Sequence, residues 1–186
     1  TGNYNAAFGS QALASNTTAS NNTAVGYQAG YTNSTGDATT AIGTKALRQN
    51  TTGRFNSVLG YEALYANTTG SYNVALGAAT LRVNTTASNN TAVGYHAGYA
   101  NTTGTGNSYI GYESGKAATT GNNNTGVGYF SFGLGIVTGE DNTAIGRSAG
   151  YNLTSGSNNL FIGHDAGYTG SPGGNFTTES NSIQLG

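Results

Sequence analysis

The sequence predicts an all-β chain wound as a parallel β-solenoid, or β-roll, on a 17-residue rung. Three observations predict it. A glycine recurs at Gly9, Gly26, Gly43, Gly60, Gly77, Gly94, Gly111 and Gly128, always at the same interval of seventeen. An apolar residue stands immediately before every one of them: Phe8, Val25, Ile42, Leu59, Leu76, Val93, Ile110 and Val127. The composition fits nothing helical, because the 186 residues include 31 Gly and only 7% charged side chains, and glycine at that density destabilises helix interiors. Fixed self-similarity at this period marks a stacked array whose units cannot bury a face alone.

Each part of the unit has its own reason. An Asn opens it at Asn5, Asn22, Asn56, Asn73, Asn90, Asn107, Asn124, Asn142 and Asn159. A short strand follows; in Asn22-Thr-Ala-Val-Gly-Tyr27 the alternation puts Thr23, Val25 and Tyr27 on one face and Asn22, Ala24 and Gly26 on the other. The first face is bulky and suits a strand, with Val25 resting on Phe8 and Ile42 and counted among the few apolar side chains a unit buries. The second is small enough for another backbone to approach. After a bend comes a second cluster such as Gln28-Ala-Gly-Tyr31 or Glu62-Ala-Leu-Tyr65, read as a short strand or extended piece. An Asn-Thr-Thr-Gly turn closes the unit, its glycine (Gly36, Gly53, Gly70, Gly104, Gly121, Gly156, Gly173) read as the residue that reaches positive φ.

The period slips by one to Gly146, returns to its usual value at Gly163 and lengthens by six before Gly186. The chain is therefore one repeat domain over residues 1–186, regular through 128 and irregular from 129, with about eleven rungs. At ~4.8 Å per rung that is a rod roughly 50 Å long. Two irregular stretches, Phe130–Val137 and the insertion Pro172–Glu179, are where capping contacts or a non-repetitive site are expected, capping being the default. At ~25 cal/mol per Å² of buried apolar surface, one thin rung barely offsets the ~1–2 kcal/mol per residue of ordering. Association is therefore expected: a homotrimer with chains side by side, packed through the small Ala/Gly face, with end-to-end joining of open rungs as a further route to a fibre.

Charge and composition exclude several functions. Six Lys and Arg against seven Asp and Glu give a net charge of −1, which leaves no basic stripe for nucleic acid. No apolar run is long enough to insert in a membrane. Without cysteine there is no disulfide framework or thiolate site. The first residues, Thr1-Gly2-Asn3, read as a segment of a longer chain. No catalytic set, metal site or cofactor is expected: the acids are scattered, and the only neighbouring His–acid pair, His164-Asp165, reads as solvated surface.

Two columns stand out as candidate sites. Five residues after each marker glycine run Tyr31, Arg48, Tyr65, Arg82, Tyr99 and Lys116. Stacked rung on rung, each cation would lie against aromatic rings, at ~0.5–1 kcal/mol per exposed contact. That reads as a structural ladder, or as a strip on which glycans stack. The second column is Asn16, Asn33, Asn50, Asn67, Asn84 and Asn101, each a formal glycosylation sequon, as are Asn21, Asn89, Asn123, Asn152 and Asn175. Composition alone generates many such matches, so turn-forming and ladder-forming roles are the simpler reading. The stacked Thr residues of the same turn raise an ice-binding reading, for which one outward file of Thr is a poor lattice.

The runs Asn22-Thr-Ala-Val-Gly-Tyr-Gln-Ala-Gly30, Asn56-Ser-Val-Leu-Gly-Tyr-Glu-Ala-Leu64 and Asn90-Thr-Ala-Val-Gly-Tyr-His-Ala-Gly98 resemble the tandem repeats of phage tail-fibre-like and bacterial surface fibre proteins. In those proteins such arrays often precede an intramolecular chaperone of the endosialidase type. More distantly, the runs are similar to the β-roll head of trimeric autotransporter adhesins, whose unit is shorter. The resemblance implies a non-enzymatic structural rod of an extracellular fibre, on a virion or cell surface, that spaces or displays a binding tip. The alternative it implies is an adhesin module that itself binds carbohydrate.

Overall fold

The structure is a computed structural model that describes residues 2–134, 138–168 and 177–186. Each described rung contributes one strand of three residues: β1 (Ala6–Phe8), β2 (Thr23–Val25), β3 (Thr40–Ile42), β4 (Ser57–Leu59), β5 (Val74–Leu76), β6 (Thr91–Val93), β7 (Ser108–Ile110), β8 (Thr125–Val127), β9 (Thr143–Ile145), β10 (Leu160–Ile162) and β11 (Ile183–Leu185). They form one parallel sheet in sequence order from β1 to β11. Phe8 pairs with Val25, Val25 with Ile42 and Ile42 with Leu59, so equivalent residues lie directly on one another. The chain is thus the parallel β-solenoid that its period predicts.

The register survives both irregularities. Val127 pairs with Ile145 although the step between them is one longer than the period, and Ile162 pairs with Leu185 across the long final step. The extra residues therefore displace no strand from the register. Of the two stretches expected to cap the rod, residues 135–137 and 172–176 lie outside the described set, as do Gly173 and Asn175. The unit that contains Phe130 is not terminal, because β9 continues the sheet beyond it.

The orientation of the strand is the reverse of the expected one. The central residue of each strand faces inward, so Ala24, Ala41, Ala75, Ala92 and Ala144 are buried. The flanking residues face out, leaving Leu59 49% and Phe8 78% exposed. The small face, expected to pack against neighbouring chains, is the lining of this chain's own coil, and the Val/Ile/Leu file expected inside is on the surface. The reason is the width of the coil. Opposite the strand lie the alanines Ala29, Ala46, Ala63 and Ala97, with Leu47, Leu64 and Leu81 beside them, all buried. With those leucines in place most rungs leave space for only a small residue at the strand centre, Val58 in β4 being a branched exception.

Where the interior does take a large residue, glycine makes space next to it. Tyr109, Phe132 and Phe161 are fully buried. A Cβ on Gly98 would sit 3.0 Å from the Tyr109 ring, and a Cβ on Gly115 would overlap that ring. Phe132 lies against Gly126 and Gly150, and Phe161 against Gly150 and Gly167, in the same way. Core volume is balanced both across a rung, by Gly115, Gly126 and Gly167, and between adjacent rungs, by Gly98 and Gly150. The Tyr109 hydroxyl is buried without a well-formed hydrogen bond among the described residues. Burial pushes its ionisation up, with Asn124 pulling weakly the other way.

The second cluster is not a strand. It is a run of turns with left-handed residues at alternate positions, such as Gln28 (φ 56) and Gly30 (φ 57), or Lys45 (φ 57) and Leu47 (φ 51). These turns still satisfy the backbone between rungs: Leu47 N–H donates to the Ala63 carbonyl at 3.0 Å, and Lys45 N–H to the Tyr27 carbonyl at 2.8 Å. The marker glycines are required for two reasons, since Gly26 has φ 128 and a Cβ there would lie 2.7 Å from the Gly43 carbonyl carbon. Of the turn glycines that are described, Gly36, Gly53, Gly70, Gly104, Gly121 and Gly156, none takes positive φ, contrary to expectation. Gly36 is needed because a Cβ would strike the Gly53 carbonyl and the Asn33 amide of the packed interior.

From Asn22 onward the Asn that opens a unit is buried and braces the stack, Thr39 taking its place in one unit. Asn56 Oδ1 accepts the Asn73 backbone N–H at 3.0 Å, Asn73 accepts from Asn90 at 3.1 Å and Asn90 from Asn107 at 2.9 Å. The Asn56 amide also donates across the coil to the Gly70 carbonyl at 2.9 Å.

Candidate functional site

The aromatic–cation column forms one surface of the rod. Arg48 lies between two rings, 5.3 Å from Tyr31 and 5.7 Å from Tyr65, and Arg82 lies 5.3 Å from Tyr65 and 5.9 Å from Tyr99. Each guanidinium also donates to a phenol oxygen, Arg48 to Tyr65 at 3.2 Å and Arg82 to Tyr99 at 3.4 Å. The Tyr65 ring has a guanidinium from each adjacent rung against it, so its aromatic surface is engaged within the chain. Lys116 ends the series differently. Its ammonium turns to Glu113, at 2.8 Å.

Beside this ladder runs a second column, two residues after each marker glycine, whose charges look scattered along the linear sequence. Gln28 Nε2 donates to Gln11 at 2.7 Å, and Gln28 Oε1 accepts from Arg48 at 2.9 Å. Glu62 accepts from Arg82 at 2.7 Å and lies 3.6 Å from Lys45. Burial pushes the Glu62 carboxyl up, but hydrogen bonds from Arg82 and Tyr61 and the charges of Arg82 and Lys45 outweigh it, and its ionisation falls below the ordinary value. Glu113 holds Lys116 and faces His96 at 3.8 Å. Burial, and then the Lys116 charge, keep His96 below its usual range and therefore neutral at neutral pH. Tabulating this position at the 17-residue period would have paired Lys45 with Glu62 and His96 with Glu113 directly.

The sequon asparagines of the repeated column lie on the inside, whereas Asn21, Asn89 and Asn123 are exposed and Asn152 is half-buried. Asn33, Asn50, Asn67, Asn84 and Asn101 are fully buried. Asn50 Nδ2 donates to Asn33 Oδ1 at 2.7 Å, Asn67 to Asn50 at 2.8 Å, Asn84 to Asn67 at 2.9 Å and Asn101 to Asn84 at 2.9 Å. The same nitrogens donate to the carbonyls of Gly53, Gly70, Ala87 and Gly104 in their own turns. A glycan on any of these nitrogens would have to break the ladder. Asn16, on the end rung, is half-buried and donates to the Ala19 carbonyl at 3.1 Å.

The stacked hydroxyls of the turn are occupied as well. Thr51 Oγ1 donates to the Thr68 carbonyl at 2.9 Å, Thr68 to Thr85 at 3.0 Å and Thr102 to Thr119 at 3.1 Å. Their protons bind the next rung, and the outward file of the turn is the second residue of each pair, Thr35, Thr52, Thr69, Thr86 and Thr103, all exposed. His164 and Asp165 sit in a turn and approach to 3.4 Å on the exposed surface. Among the described residues no three His, Asp or Glu side chains gather closely enough to hold a metal ion. Nor is any helix there long and apolar enough to cross a membrane.

The outer face of the sheet is uncharged over its whole length. One file is Phe8, Val25, Ile42, Leu59, Leu76, Val93, Ile110, Val127, Ile145, Ile162 and Leu185; the parallel file includes Thr23, Thr40, Ser57, Val74, Thr91, Ser108, Thr125 and Thr143. Tyr95, Tyr112 and Tyr129 border it as a stack with ring centroids 5.3 and 5.2 Å apart. No protein-family model matches the chain, and no curated protein or solved structure matches it either.

Proposed function

We propose that this chain is a non-enzymatic structural rod, a shaft segment of an extracellular fibre on a cell or virion, built from three copies lying side by side. The outward apolar file carries the reading. Eleven rungs in unbroken register place one large apolar side chain every rung on a surface without charge, and an exposed apolar strip of that extent belongs against a partner. The partner must carry apolar groups at the same ~4.8 Å spacing to fill such a strip along its whole length. A second and third copy of this chain do so by construction, in parallel and without charge conflict. The resemblance to fibre and adhesin repeats agrees with that arrangement, and the small face no longer enters it.

The shaft role also agrees with where the hydrogen bonds go. Backbone, Asn and Thr groups bond along the rod axis, which resists bending and extension. Sedimentation of the wild-type chain tests the assembly. A trimer is expected, and Leu59→Lys with Leu76→Lys should give a folded monomer with unchanged β-sheet circular dichroism. A wild-type chain that stays monomeric at every concentration overturns the trimer, and a flexible envelope in small-angle scattering overturns the rod.

A further inference from the structure

The ladder breaks at one rung. Continuing five residues past each marker glycine, Lys116 is followed by Gly133, Tyr151 and Tyr168. At Gly133 there is no side chain, and the Tyr151 ring leans over the position so closely that a Cβ there would overlap it. A cavity of about 450 Å³ opens beside it, lined by Tyr99, Glu113, Lys116, Phe130, Leu134 and Tyr151. That volume lies within the ~300–1,000 Å³ typical of small-ligand sites.

We infer that this notch binds one neutral pyranose ring of a glycan. In the regular ladder the tyrosine rings are taken by arginines, as at Tyr65, which has Arg48 and Arg82 against it. Past Lys116 no such arginine contact occurs among the described residues, and Tyr151, lying over Gly133, has as ring neighbours Phe130 at 6.2 Å and Tyr168 at 5.1 Å. Aromatic surface is thus released where the cavity opens. A polar pair sits in the same wall: Glu113 is 7% exposed and holds the Lys116 ammonium at 2.8 Å. It offers a carboxylate acceptor and an ammonium donor while cancelling its own charge.

A pyranose matches this combination. Its C–H face packs on Phe130 and Tyr151, its hydroxyl edge exchanges hydrogen bonds with Glu113 and Lys116, and no net ligand charge is needed. A purely apolar ligand would leave the ion pair desolvated without new partners, and an anionic sugar would face Glu113. The site lies within one chain, so it does not depend on the trimer.

The test is a titration of the full, methyl- and aromatic-labelled chain, followed by NMR, with the methyl glycosides of glucose, galactose, mannose and N-acetylglucosamine. At least one should shift the Ala100, Ala117 and Tyr151 resonances saturably and leave those of Tyr31 and Leu47 in place. Ala117→Trp, which plugs the notch from an outer position, should weaken binding by about ten-fold or more with the thermal transition unchanged, and Glu113→Gln should weaken it similarly. The inference is overturned by any of three results: no saturable shift with the four glycosides, shifts that persist in Ala117→Trp, or a response to free indole but to no sugar.

Discussion

Replacing Asn67 with alanine removes a rung from the interior amide ladder, and the loss can be worked out bond by bond. Asn67 Nδ2 donates to Asn50 Oδ1 at 2.8 Å and to the Gly70 carbonyl at 2.9 Å, and its Oδ1 accepts from Asn84 at 2.9 Å. The site is fully buried, so water cannot replace any of them without opening the coil. At a net ~1 kcal/mol per bond the substitution costs about 3 kcal/mol, or roughly a hundred-fold in the local opening equilibrium. Native-state amide exchange at Thr68 and Thr85, whose N–H groups bond to the following rungs, reads this directly. Urea unfolding gives the global value. Thr52→Ala, one turn away and exposed, is the control and should stay within ~0.5 kcal/mol. A cost below ~1 kcal/mol for Asn67→Ala, or equal protection factors in both variants, would refute the ladder as a source of stability.

Three further outcomes follow from the packing. Tyr109→Phe removes a buried hydroxyl that lacks a well-formed bond and should raise the melting temperature, by an amount equivalent to ~1 kcal/mol or more; a lowered one would show that the hydroxyl is bonded, with Asn124 as its partner. Gly60→Ala meets both φ 144 and the Gly77 carbonyl of the next rung, so it should destabilise by several kcal/mol, and a soluble rod of normal stability would contradict the stacking distance. Glu62 has its ionisation lowered below 4.5, so its contribution to stability is present above that pH and is lost as pH falls through its folded value. Glu62→Gln should therefore flatten the acid limb of a melting-temperature profile, and an unchanged limb would remove Glu62 from the account.

Period and register were legible in the sequence because one marker glycine per unit requires both left-handed backbone and close approach, so it tolerates no drift. The facing of the strand was not legible. Alternation of Thr23, Ala24 and Val25 divides the residues into two sets, but hydrophobicity assigns the larger set to the core, and only the narrowness of the coil decides for alanine. The role of Asn33 to Asn101 was likewise masked, because a sequon and an amide ladder demand the same residue at the same spacing. The notch at Gly133 left one trace, a missing side chain in an otherwise regular column. Its wall depends on Tyr151 leaning over that gap, which spacing alone does not encode.

The exchange of volume between neighbouring rungs has a consequence for how this chain can change length. Within residues 1–94, where the interior is mostly alanine and leucine, duplicating or deleting one whole repeat would rejoin like to like, and the coil could grow or shrink in whole steps. Around Tyr109, Phe132 and Phe161 the blocks are not interchangeable, because each bulky ring is matched to one glycine across its own rung and to another, Gly98 or Gly150, in a neighbouring rung. Recombination there would strand a ring against an alanine or leave a void, so the alanine and leucine stretch serves as the adjustable part of the molecule and the matched stretch as the part of fixed length.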